Sequence, residues 1–251
     1  MDLKRYYETF PVGAGNTSLR YAATLPLLED EGELLDIGCD VGGWLQVVAA
    51  ERENIRLSGV DVSGIAVRKA QKKLGSKANI TEINGSQLPF ADNSFDQVTI
   101  LEVLEHIPDW QEVLIEAIRV TRRRIIITVP FNERLKTTQC KNCGTVAPLY
   151  GHVNSFEGNE FLPFAQRITN IGSINQFYGI DHYIERVYTA AVNRIKKSHD
   201  NQDGKEDKHF KTVCPCCYEL IPYTEYSQRI RARLEKLLFQ EPEFLAVVME
   251  K

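Results

Sequence analysis

A short, largely apolar segment that ends in a glycine-rich turn constrains the fold of this chain more than any other feature. Residues 33–37 have the composition of a buried strand, residues 38–43 read Gly-Cys-Asp-Val-Gly-Gly, and helical spacing of apolar residues begins at Trp44. Glycines let the backbone turn sharply and approach a ligand closely. A strand, a glycine turn and a helix in this order are therefore typical of a nucleotide-binding unit.

Strand and helix patterns alternate along the rest of the chain. The predicted helices share a spacing of three or four residues between apolar positions, and they lie at 64–74, 110–120, 156–168, 184–197 and 226–239. The predicted strands are short apolar or β-branched runs, and they lie at 33–37, 55–62, 79–84, 95–101, 124–129, 173–180 and 243–250. This alternation predicts a Rossmann-like, doubly wound α/β fold whose seven-stranded sheet is mostly parallel.

Acidic residues lie at the ends of the first two predicted strands. Asp36 ends the first strand, and Asp61 ends the second strand 25 residues later. In a nucleotide-binding unit, the acid at the end of the second strand hydrogen-bonds a ribose. These features alone also admit a dinucleotide. They also admit a purely structural interpretation, in which Gly38 and Gly42 form a plain turn and Asp61 caps a helix.

Two further motifs narrow the choice. Leu-Pro-Phe at 88–90 precedes the fourth predicted strand, and Leu-Glu-Val-Leu-Glu-His-Ile-Pro at 101–108 follows it. Together with the glycine turn, in this order and at these separations, they resemble the motifs of class I S-adenosylmethionine-dependent methyltransferases, particularly the groups that modify small molecules and glycans. The resemblance covers about residues 30–132.

The resemblance implies cofactor contacts along one edge of the sheet. It implies that Asp36 and the turn glycines surround the methionine part of S-adenosylmethionine, that Asp61 holds both ribose hydroxyls, and that Asn84 faces adenine. Leu101 and Glu102 would border the sulfonium. The implied cofactor-binding residues are Asp36, Gly38, Cys39, Gly42, Asp61, Val62, Asn84, Gly85, Leu101 and Glu102.

Two residues depart from the family pattern. Asp40 replaces the middle glycine of the turn, and Asn84 replaces the common acid. An Asn side-chain oxygen still accepts a hydrogen bond from the adenine amino group. Asp40 tolerates unusual backbone angles, but it adds negative charge near a cofactor carboxylate. These departures leave open a non-catalytic partner protein that keeps the fold and the cofactor.

Four of the six cysteines form two tight pairs. Cys140 and Cys143 form the first, and Cys214 and Cys217 form the second. Four thiolates in paired turns are the ligands that zinc prefers in closed structural sites, which leave no open position for substrate. Two alternatives remain: the pairs are buried or reactive thiols, or His152 replaces one ligand. Cys216 is interpreted as a bystander.

These patterns predict the following organisation. An N-terminal helical or lid segment spans 1–30, and a cofactor-binding core spans 31–131. A zinc-binding insertion after the fifth strand spans 132–222 and is interleaved with a core helix and strand. The C-terminal helix and closing strand span 223–251. Gly-His-Val-Asn-Ser-Phe at 151–156 also resembles a segment that follows Cys-x-x-Cys in some methyltransferases of polysaccharide and antibiotic pathways.

Two histidines are candidates for a catalytic base. His106 follows the fourth strand and His152 precedes a predicted helix, so both are expected at the carboxyl edge of the sheet, where ligands bind. Imidazole changes its protonation state near neutral pH, and an acceptor hydroxyl benefits from a base. The alternative is that either histidine only caps a helix or packs against its neighbours.

The acceptor expected from the resemblance is a hydroxyl of a small molecule or glycan. The rival hypothesis is RNA or protein methylation, in which the zinc module recognises the substrate and Arg122, Arg123, Arg124 and the Lys-rich segment 196–211 contact it. The formal net charge of −4 argues against nucleic acid as a partner. No segment approaches the roughly 18 to 20 apolar residues of a membrane span, and no signal-peptide core follows the N-terminus. A cytoplasmic location without membrane contact is therefore expected.

Overall fold

The structure is a computed structural model. It describes residues 5, 8–9, 18–161, 163–164, 173–179, 210–213, 216–218, 220–223 and 244–250. The predicted helices at 184–197 and 226–239 and the predicted metal ligand Cys214 lie outside the described residues.

The elements follow the predicted alternation of strands and helices. The α-helices are α1 (Ser18–Thr24), α2 (Gly43–Glu51), α3 (Gly64–Leu74) and α4 (Trp110–Val120). The strands are β1 (Glu31–Ile37), β2 (Asn54–Asp61), β3 (Ala78–Glu82), β4 (Phe95–Leu101), β5 (Thr121–Pro130), β6 (Thr137–Gln139), β7 (Val146–Pro148), β8 (Ser173–Gly179), β9 (Phe210–Val213), β10 (Leu220–Tyr223) and β11 (Phe244–Glu250).

The central sheet has the strand order β3-β2-β1-β4-β5-β11-β8. The strands from β3 to β5 are parallel to one another, whereas β11 runs antiparallel to both β5 and β8. The sheet order reverses between β1 and β4, so the carboxyl ends of these strands flank a crevice of the kind in which α/β sheets bind ligands. The mostly parallel sheet with its helices confirms the predicted Rossmann-like class.

Helices cover both faces of the sheet because the inner strands are apolar on both sides. Leu34 and Leu35 are fully buried and belong to different core clusters, since successive strand residues point to opposite faces. The Leu34 cluster includes residues of α2 and α3, and the Leu35 cluster includes residues of α4. In α3, Ser63 caps the first turn by accepting a hydrogen bond from the Ala66 amide at 3.3 Å.

A closed loop connects the end of β5 to the segment around Phe156. The Asn132 amide donates to the Phe156 carbonyl at 2.8 Å, and Phe131 pairs with Phe156 in an isolated bridge. Within this loop, β6 and β7 form the antiparallel hairpin that carries Cys140 and Cys143. A second two-stranded sheet joins β9 and β10. Among the described residues, no helix is long and apolar enough to cross a bilayer.

The predicted helix at 156–168 is wrong over residues 156–161. Phe156 lies in its bridge to Phe131, and Asn159–Phe161 forms a 3-10 turn. The apolar spacing that favoured a helix has another cause, because the rings of Phe156 and Phe161 both pack against Trp110, with centroid distances of 5.3 and 5.4 Å. The apolar spacing in this segment therefore reflects packing against Trp110 and not a helix.

Candidate functional site

The turn after β1 begins at a glycine whose identity is required by its surroundings. Gly38 has a φ of +74°, and a Cβ on it would lie 2.4 Å from Cγ2 of Val103, which follows β4. The amides of Gly38 and Cys39 both donate to the Val60 carbonyl, at 2.8 and 3.0 Å. The turn is therefore fixed to the end of β2 and pressed against the segment after β4.

Gly42 is required by packing between helices. It has a φ of +73° at the N-terminus of α2, and a Cβ there would lie 2.8 Å from Cδ1 of Leu74 in α3. The glycine pattern of the sequence thus has a second cause besides ligand binding, namely the close approach of the turn to α3. Cys39 is also buried, and burial raises the pKa of its thiol, so its side chain belongs to the core.

Asp36 is held inside the fold by a short chain of hydrogen bonds. The Thr99 hydroxyl donates to Oδ1 of Asp36 at 2.8 Å, and the Trp44 indole donates to the same hydroxyl oxygen at 3.2 Å. Only 3% of Asp36 is exposed. Burial raises the pKa of its carboxyl to about 7, against the lowering effect of the Thr99 bond, and Asp61 adds to the rise.

Asp61 connects the end of β2 to the glycine turn. Its Oδ2 accepts from the Asp40 amide at 2.9 Å, and its Oδ1 accepts from the Ser63 amide at 2.8 Å. Burial raises the pKa of Asp61, and these two amide bonds oppose the rise. Asp40 has a φ of +45°, the left-handed conformation that its position in a glycine turn demands.

The residues implied for adenine lie at the next strand end along the same edge. Asn84 and Gly85 follow β3 and are exposed, and Gly85 has a φ of +85°. Val62 follows β2 and packs in part against the core. Because β1, β2 and β3 are parallel neighbours, Asp36, Asp61 and Asn84 come from strand ends at one edge of the sheet.

At the end of β4, Glu102 pairs with a residue that the sequence reasoning did not identify. Nη2 of Arg20, in α1, lies 3.1 Å from Oε2 of Glu102. Glu102 has a φ of +57°, and its amide donates to the Thr128 carbonyl at 2.9 Å. Burial raises the pKa of its carboxyl, and the charge of Arg20 opposes that rise. Leu101, the other residue implied near the sulfonium, is partly buried.

The two candidate histidines meet beyond the end of β4. We call Glu105, His106, Glu133 and His152 the histidine cluster. The rings of His106 and His152 meet edge to face with centroids 4.7 Å apart, and Nδ1 of His152 lies 2.5 Å from Oε2 of Glu133. The sequence reasoning missed Glu133, which is 19 residues from His152 along the chain.

The loop that carries His152 is fastened to the turn that carries His106. The amide of Val153 donates to the Glu105 carbonyl at 2.8 Å. The side-chain amide of Asn154 donates to the carbonyls of Leu104 and Ile107, at 2.9 and 2.7 Å. Three backbone carbonyls of the segment at 104–107 thus hold the loop, so the positions of the two histidines are coupled.

The histidine cluster contains strongly perturbed groups. Burial lowers the pKa of His106 to about 3, and the neighbouring His152 contributes. Burial also raises the pKa of Glu105 well above its ordinary value, with a further contribution from the charge of Glu102. His106 is therefore neutral at physiological pH and too weak a base to accept a proton readily there.

Three of the four predicted thiol ligands come together at the β6–β7 hairpin. We call Cys140, Cys143 and Cys217 the cysteine group, since their sulfur atoms lie within 4.8 Å of one another. Sγ of Cys140 is 3.7 Å from Sγ of Cys217. Gly144, with a φ of +74°, lets the chain turn so that its amide donates to the Cys140 carbonyl at 2.9 Å. Cys216 is exposed, and His152 lies in the histidine cluster instead.

Comparison with known proteins finds a family profile that matches part of the chain. Residues 35–127 match the profile of a family described as "Methyltransferase domain". This stretch is similar to the domain that the profile describes. It contains the glycine turn, Asp61, Asn84 and the first two members of the histidine cluster.

Curated relatives match this stretch over part of their own length. A demethylmenaquinone methyltransferase of Bacillus licheniformis is 38% identical over 91 residues, which are 35% of this chain and 39% of that protein. A 27-O-demethylrifamycin SV methyltransferase of Amycolatopsis mediterranei is 34% identical over 109 residues, which are 41% of this chain and 39% of that protein. The chain spans about two fifths of the length of these relatives.

Solved structures resemble a larger part of the fold. Phosphoethanolamine N-methyltransferase 2 of Haemonchus contortus, in complex with phosphomonomethylethanolamine and S-adenosylhomocysteine, matches with a TM-score of 0.61 and 15% identity. The match covers 98% of this chain and 56% of that chain. At this identity the likeness concerns the fold alone.

Proposed function

We propose that this chain is an S-adenosylmethionine-dependent methyltransferase that transfers a methyl group to a hydroxyl of a small molecule or glycan. The observation that carries the proposal is the convergence of Asp61, the glycine turn and Glu102 at the carboxyl edge of a domain that matches the methyltransferase profile. One relative bears a name that specifies a 27-O-demethylated acceptor, which supports oxygen as the methylated atom.

The residues of the crevice fit the cofactor chemically. Each carboxylate oxygen of Asp61 accepts one hydrogen bond from a backbone amide. Both oxygens therefore keep a lone pair that can accept from the ribose hydroxyls. The exposed Asn84 and the Gly85 amide suit adenine, and the Glu102 carboxylate suits a neighbouring sulfonium cation. The remaining residues assigned to the cofactor pocket are Asp36, Gly38, Cys39, Gly42, Val62 and Leu101.

Asp36 and Cys39 have a more limited role in this proposal than in the sequence-based prediction. Both side chains are buried, and the Asp36 carboxyl is bonded to Thr99. They shape the turn and contribute backbone atoms to the pocket. S-adenosylmethionine supplies the reactive methyl group when bound, so the chain has to align the acceptor and exclude water.

His152 is proposed as the catalytic residue on the acceptor side, and His106 as a residue that positions it. Glu133 accepts the Nδ1 proton of His152 and so directs the Nε2 lone pair of that ring into the histidine cluster. An oriented lone pair can activate an acceptor hydroxyl by taking its proton. It can also bind a group that activates the hydroxyl in turn. His106, neutral and buried, contacts His152 and fixes its ring.

Zinc in a structural role fits the cysteine group. Thiolates are the ligands that Zn²⁺ prefers, and Cys140, Cys143 and Cys217 lie close enough to share one ion. Cys214 is proposed as the fourth ligand from its spacing to Cys217. The ion would join the β6–β7 hairpin to the segment that contains Cys217 and so stabilise the loop that carries His152.

The arginines that the RNA hypothesis relied on are engaged within the fold. Arg122 pairs with Asp96 at 2.8 Å, Arg123 with Glu29 at 2.9 Å, and Arg124 with Glu250 at 2.7 Å. Each ion pair joins the start of β5 to a neighbouring segment. This arrangement favours a small acceptor over a polyanionic one, because these guanidinium groups already have carboxylate partners.

An acceptor screen tests the proposal. The full chain is incubated with S-adenosylmethionine carrying a labelled methyl group and with pools of sugars, polyhydroxylated small molecules, RNA and protein. We expect label on a sugar or another hydroxyl compound, as an alkali-stable ether, and no label when Asp61→Ala is used. Label on RNA or protein alone would overturn the acceptor class, and label on no pool would favour the partner-protein hypothesis.

A further inference from the structure

Three potential metal ligands meet where the β4 turn contacts the insertion loop. They are a carboxylate oxygen of Glu105 and ring nitrogens of His106 and His152, and these atoms all lie within 4.8 Å of one another. Glu105 and His106 come from the 3-10 turn Leu104–His106, and His152 comes from the loop after β7. Hydrogen bonds from Val153 and Asn154 hold the loop against this turn. The relative positions of the three ligands are therefore fixed by the backbone segments that carry them.

Glu105 is the unusual member of this group. Its side chain is 1% exposed, and neither carboxylate oxygen has a hydrogen-bond partner among the residues that the structure describes. The nearest ring nitrogen, Nε2 of His106, is 3.8 Å from Oε1, which is too long for a hydrogen bond. Buried carboxylates are normally hydrogen-bonded, paired or bound to a metal, because desolvation without a partner costs several kcal/mol. A cation between these atoms would satisfy Glu105.

His152 has the carboxylate partner on one ring nitrogen that metal-bound histidines have on theirs. Glu133 holds Nδ1 of His152 at 2.5 Å, which leaves Nε2 as the atom with a lone pair. A metal-bound histidine almost always donates its other ring N–H to a carboxylate, a carbonyl or water, and that bond fixes the tautomer and the orientation of the ring. The same contact therefore prepares Nε2 of His152 for coordination.

We propose that Glu105, His106 and His152 bind a divalent transition-metal ion, with Glu133 orienting His152. Two imidazole nitrogens and one carboxylate suit zinc, iron or cobalt rather than magnesium or calcium, which prefer oxygen ligands. Three protein ligands leave positions open for water or an acceptor oxygen. This site differs from the cysteine group in ligand type and in its open positions. Its role in activating the acceptor rests on the proposed function, whereas ion binding does not.

Cobalt(II) is the probe that separates the two metal sites. The full chain, freed of metal and kept reduced, is titrated with Co²⁺ while its absorption spectrum is recorded. Thiolate ligands add a sulfur-to-cobalt charge-transfer band, whereas nitrogen and oxygen ligands give only ligand-field bands. The variants are Glu105→Gln and His106→Gln, and the matched control is Cys143→Ser, which alters only the cysteine group.

We expect wild type to bind Co²⁺ in a site without the charge-transfer band, and we expect Cys143→Ser to retain it. Glu105→Gln and His106→Gln should weaken Co²⁺ binding at that site by at least about tenfold, since losing a ligand costs more affinity than losing a residue that only orients a ligand. Circular dichroism establishes which variant stays folded, and either folded variant decides the question. Co²⁺ found only with the charge-transfer band, or bound equally by a folded variant, would overturn the proposal.

A parallel titration with S-adenosylhomocysteine keeps the two proposals apart. If S-adenosylhomocysteine binds but no Co²⁺ binds outside the cysteine group, the proposed metal site is wrong and the proposed methyl transfer is unaffected. Co²⁺ binding without cofactor binding would support the metal site and remove the proposed function.

Discussion

Nη2 of Arg20 lies 3.1 Å from Oε2 of Glu102, and this contact ties helix α1 to the end of strand β4. The guanidinium also lies 5.5 Å from the ring centroid of Phe244 at the start of β11. Arg20 is the main counter-charge of this buried carboxylate, and its charge opposes the rise in pKa that burial causes. The proposed sulfonium position borders the same carboxylate.

Replacing Arg20 should reveal this shared electrostatic environment. Arg20→Ala leaves Glu102 without its counter-charge, so we expect the free energy of unfolding to fall by about 1–3 kcal/mol. A cationic sulfonium can replace part of the lost charge, whereas the neutral sulfide of S-adenosylhomocysteine cannot. Calorimetry should therefore show that the variant increases the preference for S-adenosylmethionine over S-adenosylhomocysteine.

Arg56→Ala is the matched control. Arg56 pairs with Glu33 on the surface, and 76% of its side chain is exposed. Such pairs contribute little to stability, so both the unfolding free energy and the ligand preference should stay near wild type. An unchanged preference in Arg20→Ala would contradict a sulfonium beside Glu102.

Asp36 should make stability depend on pH. Folding raises the pKa of this acid from 3.8 to about 7, so the folded state binds the proton more tightly than the unfolded state does. Its contribution to the free energy of unfolding is then fully present below pH 3.8 and is lost as pH rises to about 7, by up to about 4 kcal/mol. Asp36→Asn cannot ionise and should lack this decline in urea unfolding measured across that interval. Parallel curves for the two proteins would show that Asp36 is ionised in the folded state.

His152 should affect turnover and leave cofactor affinity unchanged. With an acceptor found in the screen, we expect His152→Gln to lower kcat by roughly 10²–10⁴ because the oriented Nε2 lone pair is lost. Glu133→Gln should lower kcat less, since the ring remains but loses its orienting carboxylate. The exposed Glu157→Gln is the control and should match wild type. Normal turnover by His152→Gln would remove His152 from the catalytic residues.

The cysteine group should bind zinc. We expect wild type purified in the presence of zinc to retain about one tightly bound Zn²⁺ per chain in this group, and we expect Cys143→Ser to lose it. Cys216→Ser tests the bystander interpretation and should keep the ion. Elemental analysis after gel filtration measures the zinc content of wild type and of each variant, and the zinc lost in Cys143→Ser relative to wild type is assigned to the cysteine group. A folded wild-type chain without zinc would contradict a structural metal.

The local part of the fold could be predicted because its signals lie close together in sequence. Helices α3 and α4 and strand β4 have the predicted bounds, since the spacing of apolar residues in the helices and the apolar run in the strand are local signals. The predicted helix after Phe156 was wrong because its aromatic residues pack against Trp110, which no local pattern reveals. The unusual φ of Asp40 could also be predicted, because Asp40 replaces a glycine in the family turn.

The site was predictable only where one strand end carries its own motif. Asp61 ends one strand, and Asn84 and Glu102 each come just after one. The order of the strands was therefore enough to predict where these three residues lie. Arg20 and Glu133 could not be placed, because each acts through a partner distant in sequence. An Arg within the apolar spacing of the first helix, and a Glu just beyond β5, were the only signals available. Gly42 illustrates the converse, since packing against Leu74 also demands the glycine assigned to the cofactor.

The measurement that tests the central claim most directly is calorimetric titration of S-adenosylhomocysteine into wild type and Asp61→Ala. The product analogue probes the cofactor pocket without knowledge of the acceptor. We predict saturable binding to wild type and binding at least about tenfold weaker in the variant, because the carboxylate that faces the ribose hydroxyls is lost. Absence of binding to wild type, or equal affinity in a folded Asp61→Ala, would contradict a cofactor pocket at this edge of the sheet.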